Sequence, residues 1–135
     1  MLKKIILSFL MISSAFWLAF AQEDTLKQSM KRGEAVYSAN CANCHMAQGE
    51  GVESAFPPLA KTAYLKNQKR AIEIVLNGLE GEIIVNGQTY SAVPMAPLGS
   101  QLSDKEIADV LNYVSNSWGN KNPMIKPLQV KAGRK

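Results

Sequence analysis

The motif Cys41-Ala42-Asn43-Cys44-His45 constrains this 135-residue chain more than any other feature of its sequence. Two thiols separated by two residues, with a histidine directly after the second, are typical of covalent c-type haem attachment. Each sulfur adds to one of the two haem vinyl groups, and the adjacent imidazole then reaches the iron from the same side. The pattern predicts one covalently bound haem c, held by Cys41 and Cys44, with His45 as the proximal iron ligand.

Other uses of this cysteine pair compete with haem attachment. A thioredoxin-like redox pair or a plain disulfide would also place two cysteines at this spacing. A zinc site would need a fourth strong ligand, and the whole sequence holds only these two cysteines and one histidine. The histidine directly after the second cysteine favours haem over these alternatives.

The first 21 residues have the pattern of a secretory signal peptide. Lys3 and Lys4 give a positive start, an apolar run covers residues 5–19, and Ala19-Phe20-Ala21 fits the small-x-small cleavage rule. Cleavage there would release a soluble protein that begins at Gln22 and works in the periplasm or outside the cell. The alternative is an uncleaved membrane anchor, although the run is slightly short for a span. Without such an anchor, membrane contact would come only through a membrane-bound partner.

Residues 22–135 suffice for one modest domain, and their charge argues against nucleic acid as a partner. Without Lys3 and Lys4, 13 basic and 11 acidic residues remain, a net charge of +2. Basic residues collect over 121–135, where no acid occurs, and we expect a solvated basic tail there. The alternative is a docking strip for an acidic partner. The polar residues 22–28 are expected to form a flexible arm.

Hydrophobic spacing predicts three or four helices. A short helix over residues 29–40 leads into the haem motif and contains Gly33, which costs about 1 kcal/mol relative to alanine and indicates close approach of another helix. Residues 46–68 read as a loop with one helical turn. A second helix over 69–77 is followed by Gly78, which is suitably placed for a left-handed cap.

A hairpin and a final helix complete the predicted elements. Asn86-Gly87 lies between β-branched and aromatic residues, which is the strongest short-range signal for a hairpin. Ser103 and Glu106 form a capping box at the start of the last helix. An apolar repeat over residues 107–118 continues that helix as far as Gly119.

Met95 is the predicted second axial ligand. The other donors left in the mature chain are lysine, tyrosine, the terminal amine and the remaining methionines: Met30, Met46 and Met124. The first two lie on the proximal side with the haem motif, and the third lies in the polar C-terminal segment. Met95 lies between Pro94 and Pro97, whose fixed φ stiffens the loop. The competing interpretation is that Met95 merely fills a gap in the core.

The order of these motifs resembles that of class I monohaem c-type cytochromes over residues 29–120. Gly33-x-x-x-Tyr37 precedes the haem motif, Pro57-Pro58-Leu59 follows it, and the proline-flanked Met95 leads into the last helix. The resemblance implies an all-α cytochrome c fold, with three to four helices around the haem and the small hairpin added before the methionine loop. It also implies that the first and last helices cross at right angles near Gly33, and that the Pro57 carbonyl accepts a hydrogen bond from His45.

Three functions are compatible with this sequence. The leading prediction is an exported electron carrier, not an enzyme, which passes single electrons between respiratory redox proteins through a haem ligated by histidine and methionine. The second is a fixed cytochrome c subunit of a larger oxidase, reductase or dehydrogenase complex. The third is a haem enzyme or sensor with an open distal site, and the stiff loop around Met95 counts against it.

Overall fold

The structure, a computed structural model, describes residues 24–134 as a set of helices with one small hairpin. The helices are α1 (Leu26–Asn40), α2 (Ala42–His45), α3 (Gln68–Asn77), α4 (Asp104–Val114) and α5 (Pro127–Gly133), with a 3₁₀ turn at Ala63–Lys66. Strands β1 (Ile83–Val85) and β2 (Gln88–Tyr90) pair antiparallel. The predicted helical fold with one hairpin is confirmed. Within residues 24–134 no helix is long and apolar enough to cross a membrane, and the predicted signal peptide lies outside this range.

Helix α1 begins three residues earlier than predicted, at Leu26, and includes residues 26–28 of the expected flexible arm. Thr25 and Gln28 form a capping box, in which each side chain accepts a hydrogen bond from the other residue's backbone N–H, at 3.3 and 3.0 Å. Asp24 forms ion pairs with Arg32 and with Lys105. The prediction of a flexible arm over residues 22–28 is therefore wrong for residues 24–28, because their side chains accept hydrogen bonds from backbone N–H groups of the first helical turn and form ion pairs.

Helices α1 and α4 meet at Gly33 and share the largest contact between any two elements. A Cβ atom on Gly33 would lie 2.0 Å from the backbone oxygen of Asp109 and 2.9 Å from Cβ of Tyr113. Only glycine therefore permits this approach, which confirms the expectation for this position. One turn further along α1, the ring of Tyr37 packs 5.5 Å from that of Tyr113.

A buried polar cluster ties the same two helices together. Asp109 is only 3% exposed, and its carboxylate accepts hydrogen bonds from Ser29 Oγ at 2.6 Å and from Arg32 Nε at 2.7 Å. Burial of a charged carboxylate costs free energy, and these hydrogen bonds offset that cost. The hydrogen bond to Asp109 raises the pKa of Arg32, so the guanidinium stays charged beside it.

Helix α4 begins where its capping box predicted and ends earlier than its apolar repeat predicted. The Ser103 N–H donates to Glu106 Oε2 at 2.8 Å, and the Glu106 N–H donates to Ser103 Oγ at 3.3 Å. The helix ends at Val114, and Trp118 adopts a positive φ of 51° in the turns that follow. The Trp118 ring still packs 5.1 Å from that of Tyr37. The last apolar position of the repeat thus reaches the core from a turn instead of a helix.

The C-terminal segment is anchored to the core at two positions, so the expected solvated tail is wrong, although most of residues 121–134, including the lysines, are exposed. Ile125 and Val130 are fully buried. Asn112 of α4 accepts a hydrogen bond from the Ile125 N–H at 2.7 Å and donates one to its carbonyl at 2.8 Å. Near the end of the chain, Arg134 donates to the carbonyl of Gly99. Charge alone gave no indication of these contacts.

The packing of this segment can be tested with two substitutions three residues apart. Ile125→Ala should lower the free energy of unfolding by about 2–5 kcal/mol, because it leaves a cavity at a fully buried position. Leu128→Ala should change it by less than about 0.5 kcal/mol, because Leu128 is 74% exposed. Urea unfolding followed by circular dichroism measures both. Equal, small losses would show that the segment is solvated after all.

Candidate functional site

The sequence-predicted site residues all line one cavity of about 360 Å³. They are Cys41, Cys44, His45, Pro57 and Met95. The rest of the wall is mainly aliphatic and aromatic, and includes Leu65, Ile74, Val85, Tyr90, Val110, Leu111 and Val114. The volume falls within the range of cofactor sites. Apolar walls that carry two thiols, an imidazole and a thioether fit a large apolar cofactor attached through sulfur, as haem c is.

One short turn of chain presents both cysteines and the histidine. Cys41 is the N-cap of α2, and its carbonyl accepts hydrogen bonds from the N–H groups of Cys44 and His45 at 3.2 and 2.9 Å. Burial raises the pKa of the Cys41 thiol to about 11. Thioredoxin-like pairs instead rely on a lowered thiol pKa. The surroundings of Cys41 therefore argue against the redox-pair alternative.

The imidazole of His45 is fixed by the backbone of the loop that follows it. Its Nδ1 lies 2.9 Å from the carbonyl oxygen of Pro57. Because a carbonyl can only accept, Nδ1 carries the proton, and the lone pair of Nε2 remains available. Burial lowers the pKa of His45, against the opposing effect of this hydrogen bond, so the ring is neutral near pH 7. A neutral imidazole with a fixed tautomer is suited to bind a metal.

The loop after α2 folds back on itself, which brings Pro57 to His45. The Gly51 N–H donates to the His45 carbonyl at 3.0 Å, and the Val52 N–H donates to the Phe56 carbonyl at 2.8 Å. Gly51 has a φ of 68°, and a Cβ there would lie 2.3 Å from the Phe56 carbonyl oxygen. Glycine is therefore required for the turn that sets the position of the Pro57 carbonyl.

The loop that carries Met95 is held by main-chain hydrogen bonds as well as by its prolines. Met95 and Leu79 form an isolated antiparallel bridge, with N–H to carbonyl distances of 2.9 and 3.0 Å. Further along, the Leu98 N–H donates to the Val75 carbonyl of α3 at 2.9 Å. Carbonyls in the last turn of a helix lack partners within it. The end of α3 thus anchors the methionine loop.

Gly78 connects α3 to this bridge. Its φ is 78° but its ψ is −176°, so the predicted left-handed cap is wrong, although the positive φ that favours glycine is present. A Cβ on Gly78 would lie 2.5 Å from the Met95 carbonyl oxygen and 3.0 Å from the Pro97 nitrogen. Glycine is needed here because the methionine loop passes so close.

Asn120 is a residue that the sequence did not identify. Its side-chain nitrogen donates to the carbonyls of Leu59 and Val114 at 2.7 and 2.8 Å, and its side-chain oxygen accepts from the Thr62 N–H at 3.1 Å. It thereby ties two cavity-lining stretches of the loop to the end of α4. No periodicity or motif distinguishes an asparagine that bridges three segments from an exposed one.

The family model and the relatives found by comparison with known proteins all indicate the same family. The family model described as cytochrome c matches residues 30–118. The chain is 36% identical to cytochrome c-552 of Thermus thermophilus over 124 residues, which span 88% of this chain and 74% of that protein. It is 31% identical to cytochrome c6 of Gracilaria tenuistipitata over 96 residues, 71% of this chain and 80% of that protein. It is 37% identical to the cytochrome c subunit of alcohol dehydrogenase (quinone) from Gluconobacter oxydans over 91 residues, 67% of this chain but 19% of that subunit.

Two glycines that share a positive φ provide a test of the contact under the methionine loop. Gly78→Ala should cost about 1–3 kcal/mol more unfolding free energy than Gly81→Ala, because only the first adds a methyl group against the Met95 carbonyl. Gly81 has a φ of 86°, and a Cβ there meets nothing within 4 Å. Guanidinium unfolding of both variants gives the difference. Equal losses would mean that the loop moves aside without cost.

Proposed function

Since the chain belongs to the cytochrome c family, we propose that its one haem c is attached through Cys41 and Cys44 and is ligated by His45 and Met95. The protein is a class I monohaem c-type cytochrome and an electron carrier, not an enzyme. Haem c supplies a one-electron iron couple when it is bound. The observation that carries the assignment of residues is their convergence on one apolar cavity.

The two cysteines provide the attachment. Each Sγ would bond to one carbon of a haem vinyl group, with the thiol proton going to the other carbon, so that the addition would balance without an oxidant. Cys41 and Cys44 lie on a single short turn, which keeps the two sulfurs together. His45 follows directly, and its proton on Nδ1 is committed to Pro57, so Nε2 is the atom offered to the iron.

Met95 is the proposed second axial ligand. A thioether opposite an imidazole raises the reduction potential relative to two nitrogen ligands. The bridge to Leu79 and the two flanking prolines restrict the loop, which opposes exchange of the thioether for water or other small ligands. If His45 and Met95 both held the iron, outer-sphere electron transfer would be favoured over the alternative of an enzyme or sensor with an open site.

The proposed setting is a respiratory chain outside the cytoplasm, reached through the signal peptide over residues 1–21. A mobile carrier between redox proteins is supported by similarity to cytochromes c-552 and c6 over most of their lengths. A fixed subunit is the second candidate, supported by similarity to dehydrogenase subunits, although this chain spans only 19% of the one from Gluconobacter oxydans. Gel filtration of a native extract separates the two, because a carrier elutes near its own mass and a subunit elutes with its complex.

Covalent attachment makes a direct prediction about denatured protein. The haem should stay on the chain through denaturing electrophoresis and acid–acetone extraction, because thioether bonds survive both. Mass spectrometry should give the mass of residues 22–135 plus one haem, which also tests cleavage before Gln22. In the double variant Cys41→Ala/Cys44→Ala, any bound haem should be extractable. Extraction of haem from the unaltered protein would contradict the proposed role of these cysteines.

The assignment of Met95 is tested by a matched pair of methionine variants. Met95→Ala should abolish the far-red sulfur-to-iron charge-transfer band of the oxidised protein, lower the reduction potential and allow rapid binding of cyanide or imidazole. Met124→Ala should change none of these, because Met124 does not line the cavity. Spectra, redox titration and stopped-flow ligand binding measure the three effects. Loss of the band in Met124→Ala instead would overturn the assignment.

A further inference from the structure

We propose that the mouth of the haem cavity docks a redox protein whose contact surface is apolar and positively charged, although residues 22–135 are themselves basic, with a net charge of +2. The inference rests on the proposed function, because it requires the haem to occupy the cavity.

The exposed lining residues mark the mouth of the cavity. Most of the wall is buried or half-buried, and the exposed residues are Asn40, Cys44, Gly81, Val93, Pro94 and Ala96. They belong to two stretches of chain, the end of α1 with the haem motif and the segment that surrounds Met95. Electron transfer slows steeply with distance, so a partner's redox centre has to approach where least protein intervenes. That place is the mouth.

The charge beside the mouth is negative. Glu80 and Glu82 flank the exposed lining residue Gly81, both are exposed, and neither has an ion-pair or hydrogen-bond partner among residues 24–134. Residues 78–103 contain no lysine or arginine. The stretch 41–60 likewise contains two glutamates and no basic residue. Residues 41–60 and 78–103, which hold all the exposed lining residues except Asn40, therefore carry acidic residues and no basic ones.

In sequence, the basic residues lie outside residues 41–60 and 78–103, although the Lys61 carbonyl accepts a hydrogen bond from Asn86 of the hairpin turn at 3.4 Å. No lysine or arginine is adjacent in sequence to an exposed lining residue. Lys61, Lys66 and Arg70 adjoin lining residues, but these are Thr62, Leu65 and Ala71, which are buried. Arg134 is engaged by Asp104. The positive net charge of the chain is therefore not shared by the segments that carry the exposed lining residues.

Apolar side chains complete the surface. Val93 at the mouth is 47% exposed, and Ile84, two residues beyond Glu82, is 63% exposed. Transient electron-transfer complexes are small and are oriented by charge complementarity. An uncharged, partly apolar centre with two free carboxylates at its edge matches a partner with an apolar centre and lysine or arginine opposite Glu80 and Glu82. An acidic partner docked on the basic C-terminal segment would show the reverse charge dependence.

Two redox reagents of opposite charge can measure the field at the mouth of the holoprotein. The probes are hexacyanoferrate(III), a trianion, and tris(phenanthroline)cobalt(III), a trication, each mixed with the reduced protein in a stopped-flow instrument. Between about 0.1 M and 1 M salt the screening length falls from about 10 Å to about 3 Å, so charges near the mouth dominate. Oxidation by the cation should slow as salt is added, and oxidation by the anion should become faster.

Two double variants with the same net charge show which carboxylates cause the charge dependence of the oxidation rates. In Glu80→Gln/Glu82→Gln, oxidation by the cation at about 0.1 M salt should slow about fivefold, as expected for two carboxylates about 10 Å from a trivalent ion in water. Oxidation by the anion should accelerate by about the same factor. Glu34→Gln/Glu73→Gln removes two exposed or half-exposed carboxylates that lie outside both mouth segments. Its rates should stay near those of the unaltered protein.

The outcomes separate this inference from the proposed function. If oxidation by the anion slows as salt is added and both double variants behave alike, net charge governs the encounter, and the acidic docking edge is wrong. If the protein lacks a haem spectrum and reacts with neither reagent, the proposed function itself fails, and this inference fails with it. Opposite salt dependences that only Glu80→Gln/Glu82→Gln weakens support the inference.

Discussion

The close approach of α1 and α4 at Gly33 determines where the haem site can form. Helix α1 ends at Asn40, directly before Cys41, so its position sets that of the haem motif. Helix α4 contributes Val110, Leu111 and Val114 to the cavity wall. A Cβ at Gly33 would lie 2.0 Å from the Asp109 carbonyl oxygen, so any larger residue would push the motif and the wall apart. The hydrogen bond from Ser29 to the Asp109 carboxylate then holds the two helices in this arrangement.

The two proposed axial ligands are held by different kinds of contact. The Pro57 carbonyl reaches His45 through a short loop, so the arrangement on that side is local in sequence. Met95 instead depends on distant parts of the chain: Leu79 pairs with its backbone, and Arg134 near the C-terminus bonds the Gly99 carbonyl just beyond it. Contacts with a large sequence separation thus restrain the ligand that is the more easily exchanged of the two.

Local signals in the sequence were sufficient where neighbouring residues decide the structure. Asn86-Gly87 predicted the hairpin, and both residues have a positive φ, 52° and 81°, as a tight primed turn requires. The C-terminal segment was misjudged because its burial depends on the side chain of Asn112, which binds the Ile125 backbone from another helix. The apolar repeat correctly predicted that Trp118 packs against the core. Periodicity alone could not show that the helix ends at Val114 and that Trp118 packs there from a turn.

The hairpin and the residues just before it contribute both to the apolar wall of the cavity and to the charge at its mouth. Side chains alternate along a strand, so Ile83 and Val85 line the cavity while Ile84 faces outward and is 63% exposed. Glu80 and Glu82, in the irregular stretch before β1, are exposed as well. Exclusion of water from a haem site is one of the factors that set its reduction potential. A single short excursion of the chain therefore supplies part of the apolar wall and all of the charge beside Gly81, so changes in its length or register would alter both together.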